Sequence, residues 1–199
     1  MKRLLLATNN PGKAREFRRM LAELPIEVVT PAEAGISLDV EETGTTYAEN
    51  AIAKAEAFAR AGDCIALADD SGIEVDALDG RPGYLSARYG GPGLDDKGRV
   101  QKLLSELADV PDEKRTARFR AVVAVAAPGH ATQTFEGVVE GAITREVRGE
   151  GGFGYDPVFV RADGRTTAEL SDEEKDAVSH RGKAVRAAIP CVRELAGCG

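Results

Sequence analysis

The sequence predicts a mixed α/β protein, on three observations. Short apolar runs alternate with amphipathic segments of helical spacing, two β-rich runs flank a turn signal, and no repeat or low-complexity linker interrupts the 199 residues. Apolar residues make up 43% and charged residues 30%, so the chain can bury most of its apolar surface without disulfide staples, as one domain or as two small lobes around a shared sheet.

Residues 3–7 (RLLLA) read as a buried strand, and the turn-forming TNNPGK follows. Asn10 suits an N-cap with Pro11 at the first helical position, and Phe17, Met20, Leu21 and Leu24 form an apolar stripe that Pro25 should stop. A second strand is expected over 26–30. Thr46 with Glu49 reads as a capping box opening an alanine-rich helix over 47–61, closed by Gly62. Residues 64–68 form the next apolar run, expected to end at the acidic pair Asp69-Asp70. After the glycine-rich RPGYLSARYGGPG, residues 96–108 place Val100, Leu103, Leu104 and Leu107 on one helical face. ARFRAVVAVAA and TFEGVVEGAI then flank APGHAT as a long hairpin. GEGGFGYDP leads into a strand at PVFV, Ser171 with Glu174 is a second capping box, and a last helix over 180–195 contains Pro190, which should kink or break it.

A net charge of −7 argues against a general nucleic-acid or membrane binder, because such surfaces are basic. The apolar run after Lys2 and Arg3 is too short for a signal segment, and no 18-residue apolar stretch follows, so a cytosolic protein is expected. Cys64, Cys191 and Cys198 are odd in number and lack CxxC spacing, which points to reduced thiols rather than disulfides or zinc.

Several stretches carry possible chemistry. TNNPGK combines free amides at a helix start with Lys13, a phosphate cradle in its physics, or simply a capped helix with a solvated lysine. It is not a Walker A loop, since Ala7 and Ala14 stand where that motif needs glycine and Ser or Thr. Asn50 and Lys54 lie four apart on one helix face and could reach a common ligand. Adjacent strand residues point to opposite faces, so only one of Asp69 and Asp70 should face a given pocket, where one of Glu41 and Glu42, which precede the helix, could join it. Their convergence would suit magnesium with substrate phosphates; the alternative is a local turn at Asp69, Asp70 and Ser71. Phe153 and Tyr155 in GGFGYD could stack on a planar base or anchor a surface loop. His180 and Arg181, with Lys175 nearby, suit carbonyl or phosphate recognition, or are ordinary helix residues. His130 sits in the hairpin turn and receives no role.

Taken together, LATNNPGKAREF, EETGTTYAENAIAKA, ALADDSGIEVDALDG, PGYLSARYGG, GGFGYDPVF and EEKDAVSHRGKA resemble the inosine triphosphate pyrophosphatase family from one end of the chain to the other. Asn9 replaces a glycine common in bacterial members, and Tyr47 a frequent phenylalanine. The resemblance implies one ITPase-like domain over residues 1–199, an elongated two-lobed mixed-sheet α/β fold with the active site in the cleft between lobes, and a cytoplasmic homodimer. It implies hydrolysis of ITP, dITP and XTP to the monophosphate and pyrophosphate with Mg2+, with neither nucleic acid nor membrane as a partner. By matching position, Thr8, Asn9, Asn10, Pro11, Gly12 and Lys13 would hold the triphosphate, assisted by Lys54. Glu42 and Asp70 would serve the metal, with Asp70 also the proton acceptor. Ser71 would touch substrate, Phe153, Gly154, Tyr155 and Asp156 would line the base, and Lys175, His180 and Arg181 would complete the nucleotide site. A pyrophosphatase for other modified nucleotides and a nucleotide sensor without turnover are the alternatives.

Overall fold

A computed structural model describes residues 2–198. The chain forms β1 (Arg3–Leu6), α1 (Pro11–Met20), β2 (Glu27–Val29), α2 (Tyr47–Gly62), β3 (Ile65–Val75), α3 (Asp96–Glu106), β4 (Thr116–Ala126), β5 (Gln133–Ile143), β6 (Phe159–Val160), α4 (Asp172–Val178) and α5 (His180–Ala196). The strands make one mixed sheet in the order β2-β1-β3-β4-β5-β6. β1 pairs in parallel with β2 and β3, and β6 pairs antiparallel with β5, so the mixed α/β expectation holds. By contact density the chain divides into a first unit of residues 1–70, 121–137 and 181–199, and a second of 71–120 and 138–180.

In the first unit, Leu4, Leu5 and Leu6 are fully buried, as expected of a parallel strand covered on both faces. Leu4, Leu6, Ile65 and Leu67 join one core with Phe17 and Leu21 and with Ala184, Val185, Ala188 and Val192 of α5. Alternation along a strand therefore turns Ile65 and Leu67 toward α1 and α5, and sends the next residue of that parity, Asp69, the same way. In the second unit, Ile73 and Val75 pack with Leu103, Leu107, Phe119, Ile143, Tyr155 and Phe159.

Five local expectations need correction. β3 does not end at the acidic pair but runs 11 residues through it to Val75, so Asp69 and Asp70 are strand residues and form no turn. The strand survives because both carboxylates find partners, described below. Just beyond them, Gly72 lets the 83–88 turn close on the strand: a Cβ there would lie 2.1 Å from the Gly83 carbonyl oxygen. In that turn Ser86 Oγ accepts from the Ile73 amide (2.9 Å) and donates to the Gly83 carbonyl (2.6 Å). α1 ends at Met20, ahead of Pro25, and the left-handed residue closing α2 is Asp63 (φ 45°) rather than Gly62. α5 runs unbroken through Pro190, because Ala188, Val192 and Ala196 are all buried in the core and their packing outweighs the missing amide. The PVFV strand is reduced to Phe159–Val160, its first residues forming a tight 3-10 turn, Asp156–Val158.

Thr46 caps α2 by accepting from the Glu49 amide (3.1 Å), and the Glu49 carboxylate reaches back to the Thr45 amide (2.7 Å). Ser171 and Glu174 form the full reciprocal box at α4.

A buried arginine ties the second unit together. Arg115 is 2% exposed and donates to the carbonyls of Ile143 (2.8 Å), Leu107 (2.5 Å) and Thr144 (2.8 Å), joining the end of α3 to both hairpin strands. Replacing it with methionine strands three buried acceptors at once. Arg115→Met is therefore expected to lose about 3 kcal/mol or more of stability. Urea unfolding measures this, and Arg115→Lys should recover little because one ammonium cannot span three carbonyls.

Candidate active site

The first unit holds the anionic and cationic groups. At the start of α1, Asn10 Oδ1 accepts from the amides of Gly12 (2.8 Å) and Lys13 (3.1 Å), while Thr8 Oγ1 accepts from the Asn10 amide (3.1 Å). The expected N-cap is thus present, and it occupies the amides of Gly12 and Lys13. What the loop offers instead is Lys13. Its ammonium lies 3.0 Å from Asp69 Oδ1, its side chain 16% exposed.

Asp69 is the centre of this cluster. Its Oδ2 accepts from Arg181 Nε and Nη2 (both 3.0 Å), and Arg181 Nη1 reaches Glu16 Oε2 (2.6 Å). Burial alone would raise the Asp69 pKa, but Lys13 and Arg181 outweigh it and hold the carboxyl well below its usual range. Burial likewise pulls the Lys13 ammonium down, against the attraction of Asp69.

Asp70 faces the other way. Its Oδ2 accepts from Asn50 Nδ2 (3.0 Å), and Asn50 Oδ1 in turn accepts from the Gly44 amide (2.9 Å), which fixes the amide's orientation. Asn50 is 1% exposed, so it holds Asp70 rather than a ligand. Burial raises the Asp70 pKa and the Glu42 charge adds to it, with Lys54 and Asn50 opposing. Lys54 donates to Glu42 Oε1 (2.6 Å) and to the Asp69 carbonyl (2.8 Å), so Glu42, Lys54 and the acidic pair share one neighbourhood. Among the described residues no three His, Cys, Asp or Glu side chains gather in a metal-ligand set. Glu42 and Asp70 are the carboxylates that could hold a hard divalent cation, with substrate oxygens filling its other positions.

The second unit holds the aromatic loop. Asp156, 3% exposed, accepts from the Phe153 amide (2.8 Å) and from Lys175 Nζ (2.6 Å), and the same ammonium lies 4.8 Å from the Phe153 ring centre. Gly152 (φ +71°) permits this turn, since a Cβ there would sit 2.1 Å from Asp156 Oδ2. The Tyr155 hydroxyl donates to the Ser86 carbonyl (3.0 Å), and the ring is core, which pushes its pKa above the ordinary value. Of the four loop residues expected to line a base, Phe153 and Gly154 are partly exposed, whereas Tyr155 and Asp156 are buried anchors. Together Phe153, Gly154 and Gly149 to Gly152 border a pocket of about 610 Å³ with Asp96, Lys97, Val100 and Gln101 of α3.

His180, 5% exposed, stacks on Phe119 (centroids 4.6 Å apart, planes at 10°). Ser71 is partly buried on β3, and Asn9, Asn10 and Pro11 are exposed. Sequence reasoning gave no role to Glu16. Its only signal was position, three residues after Lys13 and beside the buried Phe17.

Residues 4–191 match the Ham1 family. The dITP/XTP pyrophosphatase of Bacillus subtilis is 50% identical over 187 residues, 94% of each chain, and that of Streptomyces coelicolor is 48% identical over 99% of this chain and 100% of its own. Among solved structures, a HAM1 protein from Coxiella burnetii superposes with a TM-score of 0.87 at 41% identity, covering 98% of this chain and 100% of that one. The Ham1 protein of Staphylococcus aureus gives 0.85 at 40% identity over 97% and 99%. Identity at this level along nearly the whole chain reaches past fold to common descent: the chain belongs to the Ham1 family.

Proposed function

We propose that this protein hydrolyses dITP, ITP and XTP to the nucleoside monophosphate and pyrophosphate. The family membership supports the substrate class, and one structural observation carries the chemistry. Of two adjacent buried carboxylates, Asp69 is neutralised by Lys13 and Arg181, whereas Asp70 keeps a raised affinity for protons. The pair is divided by the strand into one anchor and one base.

In this reading Lys13, supported by Thr8 and Asn10, and Lys54 grip the triphosphate. Asp70 orients a water toward the α-phosphorus and takes its proton as the new P–O bond forms. The bond from the α-phosphorus to the bridging oxygen breaks, and the lysines offset the charge left on pyrophosphate. Glu42 and Asp70 would hold Mg2+, which when bound supplies Lewis-acid neutralisation of the phosphoryl oxygens. Phe153 stacks on the purine. Selecting a 6-keto purine requires donors aimed at O6, because the 6-amino group of adenine would leave them unpaired. Loop amides, His180 and Arg181 are the candidates for that task; the Lys175 ammonium already serves Asp156, and the Arg181 guanidinium also serves Asp69 and Glu16. Among the described residues no helix is long and apolar enough to cross a membrane, and Cys64, Cys191 and Cys198 are free cysteines; the cytoplasmic location is what the resemblance implies. The resemblance adds a homodimer and a single ITPase-like domain.

Three outcomes are expected. With magnesium, ITP, dITP and XTP should be cleaved about 100-fold or more faster than ATP, with EDTA abolishing turnover; equal rates on ATP, or saturable binding without pyrophosphate release, would sink the reading. Asp70→Asn should retain its circular dichroism and lose about 10³-fold in kcat, because the amide accepts no proton.

Asp69→Asn should behave differently. A carboxyl held below its ordinary pKa contributes stability that is complete above about pH 4 and is lost as pH falls below that, whereas Asp70, with its pKa raised, has the opposite sign: its contribution is complete below about pH 4 and is lost as pH climbs above that. Asp69→Asn should therefore cost about 3–5 kcal/mol at neutral pH and flatten the acid limb of a urea-unfolding profile.

A further inference from the structure

We infer that Glu16 is a positioning residue for the triphosphate grip: through Arg181 and Asp69 it fixes where the Lys13 ammonium stands. This rests on the reading that Lys13 contacts the triphosphate. Four charges alternate in one buried line, Glu16 to Arg181 (2.6 Å), Arg181 to Asp69 (3.0 Å) and Asp69 to Lys13 (3.0 Å). Glu16 is 5% exposed, Arg181 2% and Asp69 1%, and the line opens only at Lys13. Glu16 and Lys13 lie three apart on α1, so they share a face, while Arg181 comes from the first turn of α5 and Asp69 from β3.

Stability alone does not account for such a line. Buried ion pairs are often replaceable by well-packed apolar residues at no cost, and α1 and α5 already meet through Phe17, Leu21, Ala184 and Val185. What an apolar replacement could not supply is direction. Arg181 presents a planar fork, and Glu16 holds one of its arms. With that arm held, Asp69 Oδ2 meets Nε and Nη2 and Oδ1 is left turned to Lys13. Without the Glu16 charge the Nη1 arm loses that anchor, and the guanidinium competes with the ammonium for Asp69 Oδ1.

The test is steady-state hydrolysis of ITP with magnesium by the full chain, for wild type, Lys13→Ala, Glu16→Gln, Arg181→Lys and the double variant Lys13→Ala/Glu16→Gln. Glu16→Gln is expected to raise KM about tenfold with kcat within about threefold, the signature of lost ground-state grip. Arg181→Lys, which keeps the charge and loses the fork, should do the same and serves if Glu16→Gln does not fold. Lys13→Ala should raise KM at least as much, and the double variant should be no worse than Lys13→Ala, because the two act as one unit. A Glu16→Gln enzyme with unchanged KM beside an impaired Lys13→Ala, or KM effects that multiply in the double variant, overturns the inference and leaves the site reading intact. Unchanged kinetics in Lys13→Ala overturns both.

Discussion

The site is organised by the neutralisation of one buried carboxylate. Two like charges on neighbouring residues, each excluded from water, repel by about 4 kcal/mol at 4 Å even at an effective dielectric of 20. Asp69 removes that conflict by binding two cations at once, Lys13 on one oxygen and Arg181 on the other. Its neighbour is then buried beside a neutral cluster rather than a bare charge. Asp70, 5% exposed beside Glu42, keeps a raised pKa there. In the proposed mechanism the base depends on its partner being unavailable as a base.

The aromatic loop obeys the same logic with different parts. Asp156 and Lys175 neutralise each other at 2.6 Å with side chains 4% exposed, and both act on Phe153, one through its amide and the other above its ring. The loop is held by buried polar contacts at Asp156 and Tyr155, leaving Phe153 and Gly154 as its exposed part. Preorganisation of this kind lowers the ordering cost of binding a flat ligand.

Much of this was legible in the sequence because the signals were local. Caps at Asn10, Thr46 and Ser171, the stripe through Phe17 and Leu21, and the hairpin around residues 127–132 all announce themselves within a few residues. Readings failed where a long-range partner overrode a local rule. Asp69-Asp70-Ser71-Gly looks like a turn because those residues favour turns, yet it is strand because Arg181, 112 residues away, pairs with Asp69. The amides of Gly12 and Lys13 look free because the sequence cannot say whether Asn10 caps them or leaves them to a ligand. Glu16 was invisible for the same reason: its partner lies 165 residues on.

The division of labour between the two acids further requires that β3 keep its register. In most half-buried sheets the alternation of apolar and polar residues pins the register, because a slip of one residue exposes the core. That restraint is absent here, since Ile65 to Asp70 are buried on both faces and Ala66 and Ala68 are small enough to tolerate exchange. Backbone pairing fixes the spacing, with Leu4, Leu5 and Leu6 opposite Ile65, Ala66 and Leu67, but parallel hydrogen bonds would form equally well one residue along. What distinguishes the registers is charge and size. A slip of one would turn Asp70 toward Arg181 and Lys13, strand Asp69 against Asn50 and bring Leu67 from the α1 and α5 core to the α2 side, where Ala51, Ala55 and Ala59 are among the buried residues. The buried ion pairs thus favour the strand position that turns Asp69 toward Lys13 and Arg181 and Asp70 toward Asn50, a contribution to register beside any to net stability.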